Sequence, residues 1–206
     1  MPIRVLGRVT SINVRKVLWV LDELGIAYER EDWGLPVRDP AVPEFLALNP
    51  NAQVPVLVED GFVLWESNAI MRYLAGRHGA LLPPDAQGQA LADQWLYWQL
   101  GELGPQWGYA VAALLRRYPG YDDADRIAAS VAGWARKLAI LDRHLADRRT
   151  IVGDGFGIAD IALALSTHRW LSTPIPDRPS LPAVEAHYEM AKSRPTGARW
   201  MSAQTP

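Results

Sequence analysis

The sequence predicts two architectures in series: an α/β domain over residues 1–80 and an all-helical bundle over residues 89–206, joined by a linker at 81–88. Three observations carry this division. Strand-type and helix-type patterns alternate through the first part, a break marked by glycine and by Pro83 and Pro84 follows, and no strand pattern returns beyond it.

Taken in order, Ile3, Val5 and Leu6 predict a short strand, and Thr10, Ser11 and Asn13 are residue types that start helices. Val14, Val17, Leu18, Leu21 and Leu24 then recur at helical spacing, with Gly25 as the stop. Residues 27–32 predict a second strand, and the stretch holding Gly34, Pro36, Pro40 and Pro43 predicts an irregular loop. Residues 54–59 and 62–65 are β-rich runs joined by Asp60-Gly61, a strong hairpin signal. Helical spacing returns through Ile70, Met71 and Leu74, which predicts a helix over 67–78. In the second half, helices are predicted over 89–117, 123–147, 157–171 and 183–193. The second of these carries Ile127, Val131, Trp134, Leu138, Leu141 and Leu145 on one face, as a bundle helix requires.

Composition narrows the function classes. With 206 residues and 49% apolar content the chain can bury sizeable cores. A net charge of -2, from 21 basic and 23 acidic residues, offers no footprint for nucleic acid or an anionic membrane, so a small molecule is the expected partner. The amino terminus lacks a signal-peptide apolar core, and no apolar run approaches the ~18 residues a membrane span needs, which predicts a cytoplasmic protein. The four histidines, His78, His144, His168 and His187, are scattered without metal-ligand spacing, so no metal is expected. Cysteine is absent, which removes any mechanism using a protein thiol. Nine tryptophans lie mostly on apolar segments, where core packing accounts for them.

Four segments, SINVRKVLWVLDELG, NPNAQVPVL, LWESNAIMRYL and GDGFGIADIAL, together resemble the successive signatures of the glutathione transferase superfamily, in that family's order and spacing. Each is weak alone; the four in register are specific. The resemblance implies a thioredoxin-like first domain that holds glutathione, a helical second domain, and a homodimer. It implies that Val54-Pro55 is a valine and cis-proline pair whose valine backbone meets the cysteinyl part of glutathione. Glu66 and Ser67 would hold the γ-glutamyl end at the start of a helix, where free N–H groups favour an anion. Gln53 joins this site by adjacency. On the residues alone, each position also fits a helix cap or an edge-strand proline.

The same resemblance places the thiol-activating group in the loop after the first strand, with Ser11 as the expected catalytic residue and Asn13 as its competitor. A free thiol, with a pKa near 8.5, is only about 3% ionised at neutral pH. Lowering that pKa by about two units takes roughly 2.7 kcal/mol, close to one hydrogen bond donated to the thiolate. The second-substrate pocket is expected at Val9, Trp107, Tyr109 and Tyr118, with a small hydrophobic electrophile as the partner. Asp160 matches the family's folding motif, although Gly157 stands where a serine or threonine cap is usual, and Phe156 and Ile161 would form a hydrophobic staple. Three other functions remain open: a glutathione-dependent disulfide reductase or peroxidase, in which only glutathione sulfurs exchange; a non-catalytic glutathione or ligand carrier; and a regulatory interaction protein that binds no glutathione.

Overall fold

The computed structural model describes residues 2–202; residue 1 and residues 203–206, the end of the predicted helical half, lie outside the described residues. Strands β1 (Ile3–Leu6), β2 (Tyr28–Glu31), β3 (Val56–Glu59) and β4 (Phe62–Trp65) form one sheet in the order β2-β1-β3-β4. Helix α1 (Ile12–Glu23) makes the crossover between β1 and β2, which pair in parallel; β3 runs antiparallel to β1, and β4 antiparallel to β3. At the β3–β4 hairpin Asp60 and Gly61 take φ of 47° and 85°, the two positive values that this tight turn needs.

Alternation along the strands divides the first core in two. Ile3, Val5 and Leu57 face α1 and helix α3 (Ser67–His78), while Leu6 and Val56 face Trp33 and Phe45, whose rings lie 4.8 Å apart. Phe45 sits on a single-turn helix, α2 (Pro43–Leu46), inside the segment predicted to be irregular. Proline at its first position and Glu44 in its first turn favour that turn, and four residues are too few to show a periodicity.

Helix α4 (Ala86–Trp98) begins before the predicted residue 89, because Asp85 caps it by accepting the Gly88 N–H at 2.9 Å. It runs on through a π-helical turn at Gln99–Leu103 into α5 (Gly104–Ala110) and a second π-helical turn at Val111–Leu115. Gly104-Pro105 sits just after the first turn, and a Cβ at Gly104 would lie 3.1 Å from the Gln99 carbonyl oxygen, so the crowded ladder widens there. Helices α6 (Ala124–Leu145), α7 (Ile158–Ser172) and α8 (Pro182–Lys192) follow within a few residues of the predicted bounds. Asp123 caps α6 through the Arg126 N–H. The short α9 (Pro195–Trp200) had no sequence signal strong enough to predict it. Trp134 packs edge-on against Trp170 at 4.9 Å and near Trp107 at 5.5 Å, so these three tryptophans are core.

Helix α1 is buried on nearly every side because it is clamped between the sheet with α3 and the helices α7 and α9. Val14, Val17 and Leu18 share one core with Ile158, Ile161 and Leu165, so the two halves meet across a continuous apolar contact. Glu23 on α1 holds Arg194 at 2.6 Å and accepts from Trp19 Nε1 at 3.1 Å, which secures the carboxyl-terminal helix to α1. Among the described residues no helix is long and apolar enough to cross a membrane.

The buried Asp160 fixes the start of α7. Its carboxylate accepts the Ile151 and Gly157 N–H groups, each at 2.8 Å, and meets His187 Nε2 at 2.9 Å. The glycine at the cap has a steric cause: a Cβ at Gly157 would fall 2.8 Å from the Leu81 carbonyl, which itself receives the Ile158 N–H at 3.0 Å. The linker carbonyl thus serves the first turn of α7 and leaves no room for a capping side chain. Phe156 packs against the core that contains Ile161 and lies 5.9 Å from the Trp19 ring.

Candidate active site

Sheet register gathers three chain turns at one end of the sheet. Leu6 pairs with Val56 and Val56 with Trp65, so the segments after β1, before β3 and after β4 emerge side by side. They carry Ser11 and Asn13, Gln53 to Pro55, and Glu66 and Ser67 respectively. Helices α1 and α3 both start there, and the unpaired N–H groups of their first turns make that end of the sheet attractive to anions.

Ser11 occupies the cap position of α1 with φ -81° and ψ 123°, yet its hydroxyl makes no capping hydrogen bond. The side chain is therefore not taken up by the helix and faces a cleft of about 500 Å³, together with Asn13, Gln53, Val54 and Tyr118. The Val54–Pro55 peptide is cis, and so is Leu35–Pro36 on the same cleft wall, which had no sequence signal. Ladder pairing starts only at Val56, two residues later than predicted, since proline has no N–H to give. Val54 makes no backbone hydrogen bond among the described residues, so its peptide groups are available to an extended ligand.

Glu66 is an exposed residue with φ 71° and ψ 110°, a backbone conformation that side-chain-bearing residues seldom adopt. It projects beside the buried Ser67 and neither caps α3 by its side chain. The strain holds a carboxylate and a helix N-terminus together, a pairing suited to an ammonium and a carboxylate on one ligand end.

Of the residues expected at the second-substrate pocket, Tyr118 lines the cleft. Trp107 instead packs in the helical core against Trp134. Tyr109 meets the Tyr121 ring at a tilt, 5.0 Å between centroids, and lies under the Arg126 guanidinium at 4.2 Å, while Val9 packs against the first core; neither is among the residues lining the cleft. The cleft wall from the helical half consists of Arg116, Tyr118 and Arg169, and Arg8 joins it from the loop after β1. Arg116 follows directly on the second π-helical turn, whose wider winding sets where it emerges. None of these arginines was expected from the sequence. The available signal was Arg169 itself, a cation in the apolar run of α7.

Helix α1 carries a further buried cation. Lys16 Nζ donates to Gln99 Oε1 at 2.7 Å and to Asn68 Oδ1 at 3.1 Å, joining α1, α3 and the first π-helical turn. Burial first, and then the charge of Arg169, pushes its pKa down to about 7, against an opposing pull from Glu66. Arg169 falls to about 9 through burial and the charges of Arg15, Arg116 and Arg8. Among the described residues no group of histidine, aspartate and glutamate has the arrangement to hold a metal ion.

Comparison with known proteins shows the family to which the chain is related. The family model for the glutathione S-transferase N-terminal domain matches residues 1–76, and that for the C-terminal domain matches residues 124–189. The glutathione S-transferase GstB of Escherichia coli K12 is 35% identical over 193 residues, 92% of each chain. The disulfide-bond oxidoreductase YfcG of the same organism is 30% identical over 203 residues, 93% of this chain and 92% of that one. The theta class glutathione S-transferase of Xanthomonas axonopodis pv. citri, solved with glutathione bound, has a TM-score of 0.92 at 36% identity, covering 98% of both chains.

Proposed function

Because the chain belongs to the glutathione S-transferase family, we propose that it is a glutathione transferase that ionises the thiol of glutathione and directs it at small electrophiles. One observation carries the reading most: the Ser11 hydroxyl stands at the start of α1, unused as a cap, and faces a cleft shared with Asn13, Gln53 and Val54. In this reading Gln53, the Val54 backbone at Pro55, Glu66 and Ser67 seat the tripeptide. Ser11 donates a hydrogen bond to the sulfur, helped by the free N–H groups of the α1 first turn and by Asn13. The thiolate then attacks the electrophilic carbon, and the leaving group departs with its bonding electrons. Aromatic contact from Tyr118 suits a flat acceptor.

Uptake of reduced glutathione in calorimetry at millimolar concentration, together with turnover of 1-chloro-2,4-dinitrobenzene, is the result this proposal requires. Absence of binding overturns it. Binding without turnover by any acceptor leaves a glutathione carrier in its place. A second reading, glutathione-dependent disulfide reduction, is favoured by the similarity to the oxidoreductase YfcG and by the serine and asparagine on the thiol loop. With no cysteine in the chain, only glutathione sulfurs would exchange, and hydroxyethyl disulfide and a peroxide assayed beside the aromatic halide separate the two chemistries.

The same proposal includes a cytoplasmic homodimer with a detoxifying role, built from a thioredoxin-like half at 1–80 and a helical half at 89–206. Phe62, Tyr97 and Leu100 are 46%, 74% and 50% exposed around a groove of about 700 Å³ between β4 with α3 and α4, which supports a self-association face. Light scattering of the intact chain tests it.

A further inference from the structure

The acceptor side of the cleft is cationic, not apolar. Arg116 and Arg169 come from the helical half, opposite the sheet-end turns that the proposed tripeptide site uses, and Arg8 flanks them. Arg169 is only 5% exposed, and among the described residues its Nε, out of contact with solvent, has no hydrogen-bond partner and no carboxylate forms an ion pair with it. Among the described residues that line the cleft, Asp39 is the one acid, and it is an exposed residue whose Oδ1 accepts the Ala41 N–H at 2.8 Å. Arg8 gives one guanidinium nitrogen to Thr10 Oγ1 at 2.8 Å, and its Nε is likewise buried without a partner. Burying an arginine among other arginines is unfavourable by itself, and an anion bound between them offsets that cost.

Resting on the glutathione transferase reading above, we propose that the second substrate carries a carboxylate or comparable oxyanion, gripped by Arg116 and Arg169 while its electrophilic atom faces Ser11. Planar guanidinium groups suit such an anion because each can offer two parallel N–H donors. Tyr118 and Ile12 border the same space, so an aromatic acid fits better than a small inorganic anion. The reaction is ordinary displacement. A sulfur–carbon bond forms at the ring carbon bearing halide, the carbon–halogen bond breaks, and the halide leaves with the electron pair. With a disulfide acceptor, the thiolate bonds to one sulfur and the other departs as a thiolate that takes a proton from water.

The test compares matched acceptors, each rate divided by its uncatalysed rate in the same buffer: 4-chloro-3-nitrobenzoate against its methyl ester, and 3,3′-dithiodipropionate against hydroxyethyl disulfide. The wild-type enzyme is expected to enhance the charged member of at least one pair roughly tenfold or more over the neutral one. Which pair does so tells an electrophile from a disulfide. In Arg116→Gln and Arg169→Gln that preference should collapse toward unity, and Arg116→Lys should restore part of it. Because Arg169→Gln can fail to fold, the exposed Arg116 variants carry the test independently. Equal losses on charged and neutral acceptors, or a glutathione Kd that rises as much as the preference falls, would assign the arginines to the thiolate or the tripeptide and overturn the proposal. A wild-type protein that takes up no glutathione by calorimetry instead sinks the transferase reading on which it rests.

Discussion

Lys16 Nζ and Gln99 Oε1 are 2.7 Å apart, and that bond joins the first helix of the α/β half to a π-helical turn of the helical half. The ammonium group is buried, and its pKa falls from the ordinary lysine range to about 7. Between that value and ~10.4 the unfolded chain binds a proton that the folded chain lacks, so stability rises with pH across the window. Below pH 7 both states are charged and the contribution is at its least favourable. The Lys16→Met variant should lose this rise, on the order of a few kcal/mol over the full window. Urea midpoints at pH 6.5, 8 and 9 read the slope; an identical rise in both proteins would contradict the assignment.

Removing the Ser11 hydroxyl should lower kcat/KM at pH 7 by roughly 10- to 100-fold, the size of one hydrogen bond to an ion. Ser11→Ala should also move the acid limb of the pH–rate profile to higher pH by about one unit or more, because the glutathione thiol then ionises less readily. If Ser11→Ala keeps the wild-type profile while Asn13→Ala shifts it, the thiol-activating role belongs to Asn13.

Replacing Glu66 by glycine should separate stability from binding. Relief of the positive φ is expected to stabilise the fold by roughly 0.5–1 kcal/mol after allowing for glycine's extra freedom in the unfolded chain. Loss of the carboxylate should at the same time weaken glutathione binding about tenfold or more. Thermal denaturation and calorimetry on one preparation check both signs.

A serine placed at residue 157 would restore the usual capping side chain, and on sequence grounds should help. The structure predicts the reverse. Gly157→Ser should destabilise by roughly 1–3 kcal/mol, since the added Cβ falls 2.8 Å from a linker carbonyl that cannot easily move away. Chemical denaturation of this variant beside Gly157→Ala decides the matter, and a gain in either would refute the steric account.

Local patterning was enough to anticipate the four strands, the Asp60-Gly61 turn, the bounds of α3 and the helical character of the second half. Features of one or two turns escaped: α2 has four residues, α9 has six, and each π-helical turn spans five residues inside an otherwise continuous helix, too few to show a periodicity of their own. The turns that carry Ser11, Val54 and Glu66 were legible because each is local, and strand pairing then brings them together. The arginine wall was not. Arg8, Arg116 and Arg169 come from three distant segments, and only the tertiary fold makes them neighbours. Arg169 sits in an apolar stretch where neighbouring residues point to core, and that its Nε has no partner among the described residues is invisible until the helices are packed.

Since α1 is the floor of the sheet and also the surface on which α7 and α9 rest, neither half owns it. A chimaera that grafts a foreign helical region onto residues 1–80 would have to reproduce the imprint of Val14, Leu18 and Trp19, or expose that helix to water. Recombination between relatives is therefore confined to donors whose contact surface for this one helix already matches, however similar the remainder of their chains.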